Sequence, residues 1–185
     1  MNKKQELIQY YQWLRQYGYN DSHSGNMSVK EGDVIWVTPT GACADTLTEN
    51  RLVACHQDRQ PPEGATLDAK LHLGVYQQNP EAGAVIHSHG AYTVAMTLNG
   101  EDFIPADFEG YYYFQKIPVL NIAYDDYVEE APQRVARALV KNRIVVVRGH
   151  GVYAQAKTIN LAYKWTCSLE LSAKTAYLAK QAGTL

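Results

Sequence analysis

Leu7, Tyr10, Tyr11 and Leu14 recur at helical spacing before the pattern stops at Gly18, so the sequence opens on an amphipathic helix. Residues 19–32 are rich in Gly, Ser, Asn and Asp and read as a loop. The following run 33–38 (DVIWVT) reads as a short strand ending at Pro39. That strand end delivers the turn Thr38-Pro39-Thr40-Gly41, a place where binding loops often sit. Residues 68–78 repeat apolar side chains at Leu71 and Val75, predicting a helix that Pro80 stops; Ala84-Val85-Ile86-His87 then reads as a buried strand. A helix over 92–98, a strand over 117–122 and an amphipathic helix marked by Val128, Ala131, Val135 and Leu139 follow, with Pro132 expected in the first turn of the last. The β-branched run 144–147 predicts another buried strand, Gly149-His150-Gly151 interrupts it before residues 152–154, and a long helix carries Ala162, Trp165, Leu169, Ala173 and Ala176 near one face. Interleaved strands and helices indicate an α/β layered fold, and residues 1–185 show no linker, repeat or low-complexity tract, so one domain is expected.

Composition narrows the partners. With 46% apolar and 19% charged residues and a formal net charge of -2, the 185-residue chain gives no reason to expect nucleic acid or an anionic membrane surface. The first residues lack the apolar run of a secretory signal, and no stretch approaches the roughly 20 apolar residues of a membrane span. Three scattered cysteines (Cys43, Cys55, Cys167) suit neither a disulfide framework nor a thiolate zinc knuckle and fit a reducing cytoplasm. A small molecule, or another copy of the chain, is the expected partner.

The candidate chemistry lies in histidines at strand ends. His87 and His89 are two residues apart, and the two-residue period of a strand aims both imidazoles to one face. Such a pair is also what a polar strand terminus looks like. Imidazole suits zinc, and catalytic zinc sites commonly have three protein ligands and an open position. His150, between two glycines after four β-branched residues, can supply the third, although a turn histidine without a partner fits the same pattern. His23 competes as a ligand but reads better as a loop residue, and His72 reads as a supporting or core histidine. Asp68 is either a general base or further ligand, or a helix N-terminal carboxylate facing the macrodipole. Ser24-Gly25-Asn26-Met27-Ser28 and the Thr38–Gly41 turn together offer amides and hydroxyls for an oxyanion such as phosphate; separately each is a turn.

In order along the chain, the Ser24–Ser28 segment, the Thr38–Gly41 turn, Asp68 with His72 and Tyr76, residues 84–89 (AVIHSH) and His150-Gly151 resemble the class II aldolase and adducin head family, over about residues 7–177. The resemblance implies a three-layer αβα fold around a largely antiparallel sheet, a homotetramer with active sites at subunit interfaces, and His87, His89 and His150 as ligands to Zn2+, or to Co2+ or Mn2+. It places Asn26, Thr40 and Gly41 on phosphate-binding loops and Asp68 on the acidic catalytic position. The implied activity is cleavage or formation of a C–C bond in a ketose through a metal-stabilised enolate. Epimerisation, dehydration and 3-oxo sugar-acid decarboxylation share that enolate, and an adducin-like binding module is the alternative outside catalysis.

Departures from the family pattern bear on the substrate. The aldolases usually carry glutamate where this chain has Asp68; a serine pair that helps bind phosphate becomes Thr66-Leu67; and Glu109 falls near an aldolase tyrosine that acts as an acid, where a dehydratase has a glutamate. The sequence ends at Leu185, short of a tail tyrosine of the family, for which Tyr111, Tyr112 or Tyr113 can substitute.

Overall fold

The apolar repeat of the first residues forms α1 (Lys3–Gln16), started by a capping box in which Asn2 accepts from the Gln5 amide and the Gln5 side chain accepts from that of Asn2. The computed structural model describes residues 1–185. After α1 come β1 (Asn26–Glu31), β2 (Val34–Val37), β3 (Val53–Cys55), α2 (Ala69–Gln78), β4 (Ala84–Ser88), α3 (Ala91–Met96), α4 (Phe108–Phe114), β5 (Val119–Leu120), α5 (Tyr127–Lys141), β6 (Ile144–Val147), β7 (Gly151–Ala156) and α6 (Ile159–Ala182). The strands form one seven-stranded sheet in the order β3-β2-β1-β4-β7-β6-β5. Only the β5–β6 pair is parallel.

Strand alternation divides the core in two. Met27, Val29, Ala84, Ile86, Val152 and Ala154 point to one face, where α1 and α6 cover them with Leu7, Leu14, Ala162 and Leu169. Val85, Val145, Val147 and Tyr153 point to the other face, beneath Leu71, Val75, Val135 and Leu139 of α2 and α5. The result is the expected αβα sandwich with a largely antiparallel sheet.

Three local expectations change. Residues 19–32 are not all loop: 26–31 form β1, because Met27 and Val29 enter the core while Asn26 and Ser28 bury their polar side chains on the opposite face. Pro132 lies a turn deeper in α5 than expected; the carbonyl deprived of its amide is that of Val128, on an exposed part of the helix. The tyrosine-rich segment after Pro105 is helical (α4), capped by Asp107, whose carboxylate accepts from the Gly110 amide at 2.9 Å.

Candidate metal centre and active site

His87 lies next to the end of the fully buried β4, pairs across the sheet with Asn26 on one side and Tyr153 on the other, and faces the α2–α5 layer. His89 leaves the strand just beyond it. His150 sits in the β6–β7 turn, which Gly149 closes with φ +68° and the His150 amide ties to the Val147 carbonyl at 3.0 Å. Gly151 admits both the neighbouring strand and the rings: a Cβ there would come within 2.4 Å of the Ser88 carbonyl, 2.6 Å of His89 Cδ2 and 3.0 Å of His87 Cε1. The three candidate ligand nitrogens all lie within 4.8 Å of one another. His87 Nε2 is 2.8 Å from His89 Nε2 and 3.3 Å from His150 Nε2.

The donor set fits a divalent cation. His87 Nδ1 lies 3.0 Å from the Val152 carbonyl, which can only accept, so the ring carries its proton on Nδ1 and presents a lone pair from Nε2. Burial lowers the pKa of all three histidines, that of His89 to about 4 with help from the neighbouring His150 charge, so the rings are neutral at neutral pH. Three neutral imidazoles turned toward one point have no polar reason to crowd together unless a cation binds there. Tetrahedral Zn–N bonds of 2.0–2.1 Å set adjacent ligand nitrogens about 3.3 Å apart, within the range seen here.

Asp68 stands beside this cluster. It precedes α2, where a carboxylate also favours the macrodipole, but makes no capping bond; its side chain turns instead to Asn26, Tyr127 and Tyr153. Asn26 Nδ2 donates to Oδ2 at 2.9 Å, Tyr153 OH to Oδ2 at 3.0 Å and Tyr127 OH to Oδ1 at 2.8 Å; His87 Nε2 is 3.8 Å from Oδ2. Burial opposes ionisation, but the His87 ring when charged and the Asn26 and Tyr127 hydrogen bonds outweigh it, and the pKa falls to about 2. Burial, followed by the Asp68 charge, pushes both phenols far up, so they remain donors. The Tyr127 and Tyr153 hydroxyls also touch each other, and the Tyr153 ring stacks on His87 with centroids 4.1 Å apart and planes 1° from parallel.

A polar chain runs inward from Asn26. Its Oδ1 accepts from His72 Nε2 at 2.6 Å, His72 Nδ1 accepts from Ser28 Oγ at 2.7 Å, and Tyr76 OH donates to Ser28 at 2.8 Å. An amide oxygen cannot donate, so His72 is protonated on Nε2 and the Asn26 amide is fixed with its nitrogen toward Asp68. Burial lowers the His72 pKa to about 4.

One cavity of roughly 200 Å³ is lined by His87, His89, His150, Asp68, Asn26, Thr40, Gly41 and Thr66, together with His23, Gly25, Pro39, Ala42, Leu67 and Tyr127. The candidate residues from five separate stretches of sequence thus meet. His23 reaches the rim outside the triad, hydrogen-bonded through Nδ1 to Ser22 Oγ at 2.8 Å. Glu109 does not line the cavity; it is exposed on α4 and borders a separate depression with Tyr19, Asp107 and Cys167. Tyr127 and Tyr153 are the site residues that sequence reasoning missed. The signal for Tyr153 was its same-face position on the strand beside that of His87; Tyr127 had none.

Comparison with known proteins agrees with this geometry. Residues 5–177 match the family model described as class II aldolase and adducin N-terminal domain. The chain is 30% identical over 181 residues to an L-fuculose phosphate aldolase of Methanocaldococcus jannaschii, covering 96% of this chain and 97% of that protein. It is 28% identical over 147 residues to the Escherichia coli L-fuculose phosphate aldolase, covering 76% of this chain and 66% of that one. The crystal structure of L-fuculose-1-phosphate aldolase from Thermus thermophilus superposes with a TM-score of 0.90 at 28% identity, over 98% of this chain and 97% of the other.

Proposed function

This chain belongs to the class II aldolase and adducin N-terminal domain family, and from that premise we propose that it cleaves a C–C bond of a ketose phosphate with a divalent cation held by His87, His89 and His150. It is a class II aldolase-type lyase. The observation that carries the reading is the convergence of three neutral imidazoles on a cavity that also holds an ionised carboxylate, Asp68. A divalent cation at the triad, zinc in our reading, supplies the Lewis acidity that offsets charge developing on the substrate oxygens.

The chain's own residues account for the rest. Asp68 moves the proton, being ionised, beside the triad and open to the cavity. Thr40, Gly41 and Thr66 line the same cavity as Asn26, and the two threonine hydroxyls with the Gly41 amide suit the phosphate. A second depression of about 610 Å³ shares Leu67, Tyr127 and His150 with the cavity and leaves room for the remainder of the sugar. Glu109 enters this reading through assembly. In our reading it acts only if a homotetramer sets the exposed α4 of one copy against the site of another. Residues 1–185 act as a single domain, and we place the protein in the cytoplasm; no helix is long and apolar enough to cross a membrane.

Epimerisation is the second reading, and the aspartate at position 68, shorter by a methylene than the aldolase glutamate, is what favours it. The test offers the zinc-loaded protein L-fuculose 1-phosphate, other ketose phosphates, free ketoses and sugar acids, reading aldehyde and carbon dioxide separately. Aldehyde release from a ketose phosphate supports the aldolase reading. Isomerised sugar phosphate without free aldehyde moves the assignment to the epimerase, and carbon dioxide moves it to the decarboxylase.

A further inference from the structure

A buried carboxylate can be held in two ways: by its own length, or by donors that grip it. Asp68 takes the second course. A carboxylate has about four acceptor positions, and three are engaged here: two on Oδ2, by Asn26 Nδ2 and Tyr153 OH, and one on Oδ1, by Tyr127 OH. Each phenol has one proton, so two protons serve three contacts, the third being that between the two hydroxyls, and giving both to the carboxylate best satisfies a buried charge. The remaining position lies on Oδ1, which carries only the Tyr127 hydrogen bond, and both residues line the cavity. Neither phenol can drift. Tyr153 is fixed on β7 by its stacking on His87. Tyr127 is the first residue of α5, and its ring meets His150 edge-on with centroids 4.5 Å apart.

We propose that Tyr127 and Tyr153 are positioning residues for the reaction, gripping the short Asp68 side chain so that a single acceptor position on Oδ1 stays open to substrate, and tying that position to the two histidines they pack against. The inference rests on the aldolase-type reading of the site. It also says why aspartate suffices: the space a glutamate would reach into is occupied by two hydroxyls.

Tyr127→Phe and Tyr153→Phe keep the rings and remove only the oxygens. Each should lower kcat about ten- to hundredfold, the usual range for losing a hydrogen bond to a charged group, with KM within about twofold and bound zinc unchanged. Asp68→Glu should be penalised severely in the wild-type background and much less with Tyr127→Phe, where the longer acid has room. In the metal-free protein, a cycle of Tyr127→Phe with Asp68→Asn should show about tenfold coupling in the unfolding equilibrium constant. Wild-type kcat in both phenylalanine variants, a loss confined to KM, or an equal penalty for Asp68→Glu in both backgrounds would overturn the proposal. The unfolding cycle separates it from the reading beneath it: coupling without C–C cleavage on any substrate sinks the reading and leaves the grip in place, whereas cleavage without coupling sinks the grip alone.

Discussion

At the scale of single residues, Asp68 and His72 show how burial converts ordinary groups into fixed parts. Asp68→Asn is nearly isosteric but cannot accept a proton, so turnover should fall at least about a hundredfold with zinc retained, as steady-state kinetics beside elemental analysis will show. His72 is wholly buried and neutral, its pKa lowered by burial from the ordinary 6.5 to about 4. The unfolded chain therefore binds a proton that the folded one refuses as pH falls through that window, and stability should fall with it. For this group the loss is about 2 kcal/mol between pH 7 and about pH 5. Urea unfolding of metal-free His72→Gln should show a pH dependence weaker by about that amount. The histidine triad and Asp68 were legible in the sequence because few residue types do metal or proton chemistry and theirs stood at strand and helix ends. The phenols were not, because tyrosine in a strand or at a helix start is usually packing and only the fold reveals its partner.

At the scale of elements, β-branched runs and helical repeats predicted the elements that carry the histidines and Asp68: β4, β6, β7 and α2. What escaped was β1, whose two-residue period holds only if Asn26 and Ser28 are recognised as buried, and their partners His72 and Tyr76 lie more than 40 positions away. The short strand β3 and the helix α4 escaped too; α4 holds a glycine and three tyrosines, poor helix formers taken alone. The β6–β7 turn is the element on which the candidate metal centre depends most. Gly151→Ala should lower zinc affinity at least tenfold and stability with it, because its methyl would meet the Ser88 carbonyl at 2.4 Å as well as the His87 and His89 rings; calorimetric zinc titration reads the first and the urea midpoint the second. Leu139→Ala, on the face of α5 against the sheet, should cost about 2–5 kcal/mol of stability with zinc stoichiometry unchanged.

At the scale of the whole molecule, the sandwich places the candidate catalytic groups on one face of the sheet and leaves large apolar side chains exposed elsewhere on its surface. Phe108 and Tyr112 on α4 are 87% and 75% exposed, and Tyr124 beside the larger depression is 94% exposed. Aromatic surface of this kind marks association, and light scattering should give a tetramer that Phe108→Glu with Tyr112→Glu breaks down. The central claim is that the triad holds one catalytic cation per chain. It is tested most directly by titrating zinc into metal-free protein while following aldehyde release from a ketose phosphate. The account predicts a linear rise that breaks at one equivalent per chain and is absent in His150→Ala. Full activity before zinc is added, or a rise unchanged by His150→Ala, would contradict it.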